Sequence, residues 1–139
     1  MTETDERHLR RAIALAVAAR DAGDGPFGSL LVDADGRVLA EEVNTEHTDD
    51  DITAHPELKL ARWAARHLAA DAAAVATMYT SCQPCGMCAT AIERSGLGRV
   101  VYALSTEQLA QLRPGPPPTP VAYAGPALPE EARVPVEAG

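Results

Sequence analysis

Two short motifs hold the residues whose types and spacing could do chemistry: His55-Pro56-Glu57, and Pro84-Cys85-Gly86-Met87-Cys88. All the cysteines of the chain (Cys82, Cys85 and Cys88) fall in one stretch, which is a poor disulfide framework and a good metal or redox site. An H-x-E triplet alone arises often by chance, and a C-x-x-C alone is ambiguous between zinc and redox chemistry. Together, each at the start of an expected helix, they are far more specific. Cys85 and Cys88 share a face of the first helical turn, where unpaired N–H groups favour thiolate over thiol. Two thiolates and the His55 imidazole make a zinc set that leaves a fourth position for water, one ion per chain. The thiolates largely neutralise the ion, so a nearby carboxylate that accepts a proton becomes useful, and Glu57 is that group. Glu57 lies roughly 200° round an ideal helix from His55. Both reach one site only if the metal lies off the helix end, toward which first-turn side chains lean.

The elements that must position these residues follow from periodicity and turn chemistry. An amphipathic helix is expected from Asp5 to Ala22, with Leu9, Ile13, Ala16 and Val17 on one face and Gly23 at its stop. Two strands, Ser29 to Val32 and Val38 to Val43, flank the turn Asp33-Ala34-Asp35-Gly36, and the acidic stretch Asn44 to Ala54 is a loop. A second helix runs from Pro56 to Leu68, with the proline tolerated in its first turn. A strand from Ala76 to Thr80 leads to a third helix that begins near Pro84 and ends at Ser95-Gly96. Arg99 to Ala103 is a further strand. Ser105-Thr106-Glu107-Gln108 matches a capping box that opens a short fourth helix. Arg113 to Pro120 is proline-rich and cannot continue it. The order implies an α/β chain with helices on both faces of a sheet, divided into residues 1–112 and a linker and tail at 113–139.

At 139 residues the chain fits one domain with a core large enough to need no disulfide. Its net charge of −8 repels phosphate backbones, and its aromatic content of 4% leaves few platforms for stacking bases, so no nucleic-acid partner is expected. Neither a membrane-span-length apolar run nor a signal-peptide core occurs, which predicts a soluble, cytoplasmic protein with no membrane partner.

The H-x-E followed by P-C-x-x-C resembles the signature of the cytidine deaminase superfamily of zinc deaminases. The resemblance spans Gly25 to Ala103. Gly25-Pro26-Phe27-Gly28, Asn44, Thr53-Ala54-His55 and Thr80-Ser81-Cys82-Gln83-Pro84-Cys85 are most similar to the bacterial guanine deaminase and related nucleobase deaminase branch. This resemblance implies a three-layer α/β/α fold with a central mixed sheet, usually a homodimer, and hydrolytic removal of an amino group from a small-molecule nucleobase. It implies that Asn44 binds the base, that Phe27 walls the pocket, and that the backbone near Ser81 and Cys82 holds the ring. Related enzymes also cover the pocket with C-terminal residues, sometimes from the neighbouring subunit. Tyr123, the only aromatic residue after Tyr102, is the candidate lid.

The chain departs from that branch at Pro56, where alanine is commoner, at Gln83 in place of Glu, at Gly86 in place of Pro, and after Ala103, where an acidic aromatic stretch is missing. These departures spare the metal set and open the substrate to guanine, cytosine, isocytosine or an aminotriazine. Plainer readings stand beside the chemical ones. Asn44 could be a turn residue, Phe27 core packing, and Cys82 a small strand-end residue outside the metal set. Trp63 and Met87 are expected in the core, and His8, His47 and His67 on the surface. A cytidine-type nucleoside deaminase, a tRNA adenosine deaminase and an inactive zinc-stabilised scaffold are the alternatives.

Overall fold

The computed structural model describes residues 1–138. The sheet has four strands in the order β2-β1-β3-β4: β1 (Gly28–Val32), β2 (Val38–Val43), β3 (Thr77–Cys82) and β4 (Arg99–Leu104). β1 is antiparallel to both β2 and β3, whereas β3 and β4 are parallel, so the sheet is mixed. α1 (Glu3–Asp21) covers one face; α2 (Pro56–His67) and α4 (Gly86–Ser95) cover the other. This is the expected three-layer α/β/α arrangement. β1 and β3 are buried on both sides, and their residues alternate between two cores. Leu30, Val32 and Tyr79 meet Leu9 and Ala12 of α1. Leu31 and Met78 meet Leu60, Ala61, Ala64 and Ile92 of α2 and α4.

α1 sits unusually close to β1. A Cβ on Gly28 would lie 2.5 Å from the Leu15 Cβ, 2.6 Å from the Ala16 nitrogen and 2.7 Å from the Ala12 oxygen. The inward face of the helix is therefore its small one, with Ala12, Ala16 and Ala19 buried. Of the face expected to be buried, Leu9 and Ala16 are buried, whereas Ile13 and Val17 are exposed, because their bulk does not fit where the backbone rides on the strand. His8, expected at the surface, is buried against the Tyr79 ring, with centroids 4.9 Å apart.

Beside it, buried Asp5 accepts hydrogen bonds from both Arg99 Nη atoms (3.0 Å each), the Tyr79 hydroxyl (2.6 Å) and Thr2 N–H (3.0 Å). The Arg99 guanidinium and then the Tyr79 hydroxyl hold the Asp5 carboxyl well below the usual carboxylate range. This cluster ties the start of α1 to β3 and β4 across the sheet.

The expected elements occur with small shifts at their ends. β3 runs two residues further than expected, because Cys82 still pairs with Leu104. α4 starts at Gly86 and stops at Gly96, which is left-handed at φ 86°. Met87, expected in the core, is 39% exposed, since Cys88 and Ile92 form the inward stripe of α4. Trp63 is half-buried at the rim of the second core. Two short helices were not anticipated: α3 (Ala70–Ala74), which has no side-chain cap, and α6 (Pro129–Ala138). α5 (Thr106–Leu112) opens on the expected capping box of Ser105 and Gln108. From residue 113 to residue 137 every position is exposed. No helix among the described residues is long and apolar enough to cross a membrane.

Candidate active site and metal centre

α2 and α4 lie side by side on one face of the sheet, and their N-termini bring the two motifs together. His55 is the N-cap of α2, in extended conformation, and Pro56 follows at the first helical position, where it needs no hydrogen bond. Cys85 was expected inside the first turn of α4 but is its N-cap, with its carbonyl accepting from Ala89 N–H at 2.8 Å. Cys88 lies one turn on. His55 sits off the helix end and not on its side, which resolves the roughly 200° separation from Glu57 that an ideal helix imposes.

The donor atoms of His55, Cys85 and Cys88 lie within 4.8 Å of one another. His55 Nδ1 is 3.6 Å from Cys85 Sγ and 3.5 Å from Cys88 Sγ. Tetrahedral zinc, with bonds of about 2.0–2.1 Å to nitrogen and about 2.3 Å to sulfur, separates such donors by about 3.6 Å, so the set fits that ion. Burial, then the Glu57 carboxylate, then Cys85 push the Cys88 thiol far up, which outweighs the preference for thiolate expected at the start of α4; a bound divalent cation would reverse this. Cys82 stands outside the donor set and walls the cavity beside it.

Glu57, Asn44, Phe27, His55, Cys82 and Cys85 line one cavity of about 80 Å³, which Gln83 and Leu109 complete. Glu57 is 6% exposed, and burial raises its carboxyl above the usual range, only partly offset by a hydrogen bond from its own backbone N–H. A carboxyl in that condition is suited to take a proton and return it. Asn44 is fully buried and does two jobs. Its Oδ1 accepts from Glu46 N–H (2.9 Å) and Gly25 N–H (3.3 Å), which makes it the turn residue of the plainer reading, yet it also faces the cavity. Phe27 is a wall residue, with the Arg113 guanidinium 5.8 Å above its ring. A larger groove of about 410 Å³ lies between the 44–54 loop and α2, lined by Asp51, Lys59, Arg62, Trp63 and Arg66 among others, and it holds none of the metal donors.

Two candidate residues fall outside the cavity. Ser81 turns its hydroxyl to accept from Gly28 N–H (3.2 Å), holding β3 to β1. Tyr123 is 92% exposed and touches no part of the site within a single chain. Sequence reasoning missed three others. Leu109 of α5 walls the cavity. Gln83 ties that helix to the site by accepting from Thr106 N–H at 3.0 Å. Glu46 contacts both His55 Nε2 (2.9 Å) and Asn44 Nδ2 (2.8 Å) through one oxygen. The Asx turn at Asn44 was the one local signal for Glu46.

Residues 2–104 match the family described as the cytidine and deoxycytidylate deaminase zinc-binding region. A probable cytosine deaminase of Schizosaccharomyces pombe is 37% identical over 115 residues, covering 81% of this chain and 67% of the relative. Guanine deaminase of Bacillus subtilis is 39% identical over 107 residues, covering 76% of this chain and 68% of that protein. Its crystal structure superposes with a TM-score of 0.80 at 32% identity, over 99% of this chain and 93% of the other. A tRNA-specific adenosine deaminase of Haemophilus influenzae is 35% identical over 104 residues, covering 75% of this chain and 60% of the relative. The chain belongs to the cytidine and deoxycytidylate deaminase zinc-binding family and is a zinc-dependent hydrolytic deaminase.

Proposed function

We propose that the substrate is a free nucleobase or a closely related aminated heterocycle of the guanine, cytosine, isocytosine or aminotriazine type. The observation that carries this reading is the shared cavity: the metal donors His55 and Cys85, a buried carboxyl and a buried amide all face about 80 Å³, below the usual range for drug-sized ligands. Such a space suits a bare ring. The relatives named for guanine and cytosine support the class, and the net charge of −8 disfavours the tRNA substrate of the third.

Bound zinc supplies the Lewis acidity that makes water a nucleophile at neutral pH. Glu57 takes a proton from the attacking water, passes it to the ring nitrogen beside the amino-bearing carbon, and delivers the next to the leaving amine. Water is consumed, ammonia leaves and a carbonyl remains. Asn44 Nδ2–H holds the ring at an acceptor atom, while Phe27, Cys82 and Leu109 wall it and exclude bulk water.

The enzyme acts as a cytoplasmic homodimer, with residues 113–139 forming an arm that covers an active site, its own or the neighbour's, and Tyr123 as the lid. Support for the arm comes from the exposure of residues 113–137 in the single chain and from the superposition on the Bacillus subtilis structure over nearly the full length.

Ammonia release from protein carrying one zinc per chain, measured across guanine, cytosine, isocytosine, aminotriazines, cytidine and a tRNA anticodon stem-loop, tests the substrate class. A free base should turn over fastest. Faster turnover of cytidine or the stem-loop would move the enzyme to the nucleoside or tRNA reading.

A further inference from the structure

We propose that Glu46 is a positioning residue that fixes the metal-ligand histidine and the cavity asparagine through a single carboxylate oxygen. His55 Nε2 lies 2.9 Å from Glu46 Oε1, and Asn44 Nδ2 donates to the same atom at 2.8 Å. His55 Nδ1 faces the two cysteines, so it must carry the lone pair and Nε2 the hydrogen. A carboxylate that accepts from Nε2–H selects that tautomer, holds the ring and raises the basicity of Nδ1.

The same oxygen completes the orientation of Asn44. Backbone N–H groups of Gly25 and Glu46 occupy its Oδ1, and Glu46 takes one of the two Nδ2 hydrogens. One N–H is left for a ligand, so this wall of the cavity offers a donor and no acceptor. A substrate therefore turns an acceptor toward Asn44, a carbonyl oxygen or an unprotonated ring nitrogen, and a ring N–H at that place is rejected. The selection among bases rests on the nucleobase reading above; the effect on His55 and the metal does not.

The Glu46 side chain is 39% exposed, so a plain surface contact predicts little change when it is removed. The positioning role predicts more. Glu46→Ala and the shape-preserving Glu46→Met should weaken zinc binding by about 10- to 100-fold, read by competition with a chromophoric chelator. Glu46→Gln, which keeps one acceptor oxygen, should lose less. Nitrogen-15 shifts of the metal-free protein should show His55 moving from one Nε2–H tautomer to a mixture, and the Asn44 side-chain amide shifting with it. The methionine variant keeps the test decisive if the alanine variant does not fold, because it fills the same space. Zinc affinity within about threefold of the parent in a folded Glu46→Met, with an unchanged His55 tautomer, overturns the proposal. None of these readouts uses a substrate, so a failed base panel leaves them intact.

Discussion

Replacing Asp5 with Asn isolates the cluster that ties α1 to the sheet. The carboxylate is buried and accepts four hydrogen bonds: two from Arg99, one from the Tyr79 hydroxyl and one from Thr2 N–H. Asn is close in shape but presents one acceptor oxygen, so the buried Tyr79 hydroxyl or the guanidinium loses its partner. A buried group left without its partner costs about 1–3 kcal/mol. The Arg99 side chain is 50% exposed, so water screens the ion pair and its own share is held to about 1 kcal/mol. A total of about 3 kcal/mol is a large part of the 5–15 kcal/mol typical of a domain.

The pH dependence separates charge from packing in that cluster. The folded Asp5 pKa lies below its unfolded value of about 3.9, so its contribution is complete above that pH and lost as the pH falls toward the folded value. For this one group the loss is up to about 1.4 kcal/mol per pH unit below about pH 4. Urea unfolding of parent and Asp5→Asn at pH 7, 4 and 3 gives the difference directly, and metal release at low pH largely cancels because both proteins share it. A gap below about 0.5 kcal/mol at pH 7, or one that does not narrow between pH 4 and pH 3, would refute the reasoning.

The remaining predictions concern the site. Glu57→Gln should keep one zinc per chain while kcat falls by ~10² to 10⁴ or more, and near-parental turnover would remove Glu57 from the mechanism. Cys88→Ser should lose the metal, since a serine hydroxyl is a poor zinc ligand. Full occupancy by elemental analysis would sink the ligand assignment. Truncation after Leu112 keeps both cores and the whole sheet, so it should leave a folded, zinc-loaded domain with much reduced deamination. Unchanged activity in a truncated dimer would show the arm to be dispensable.

What was legible in the sequence is what local chemistry restricts. Zinc accepts few residue types, and two helix N-termini provide the spacing, so His55, Cys85, Cys88 and Glu57 stand out before any fold is known. The capping box at Ser105, the turn at Asp33 to Gly36 and the two short strands that flank it are equally local, and the structure has all of them. Contacts that close over long stretches of chain were not legible. Asp5 meets Tyr79 74 residues away and Arg99 94 residues away, and nothing near position 5 announces either.

The α1 face shows a different reason for failure. Hydrophobicity alone phases the helix on Leu9, Ile13, Ala16 and Val17; Leu9 and Ala16 are buried, but where the backbone rests on Gly28 the sheet selects by size, so Ala12, Ala16 and Ala19 face inward and Ile13 and Val17 turn out to solvent. Glu46 combines both difficulties. It is a common charged loop residue, and its meaning depends on a turn that carries it back to His55. Asn44 makes that turn by capping Glu46 N–H, so the residue that faces the substrate cavity also builds the support of the metal ligand.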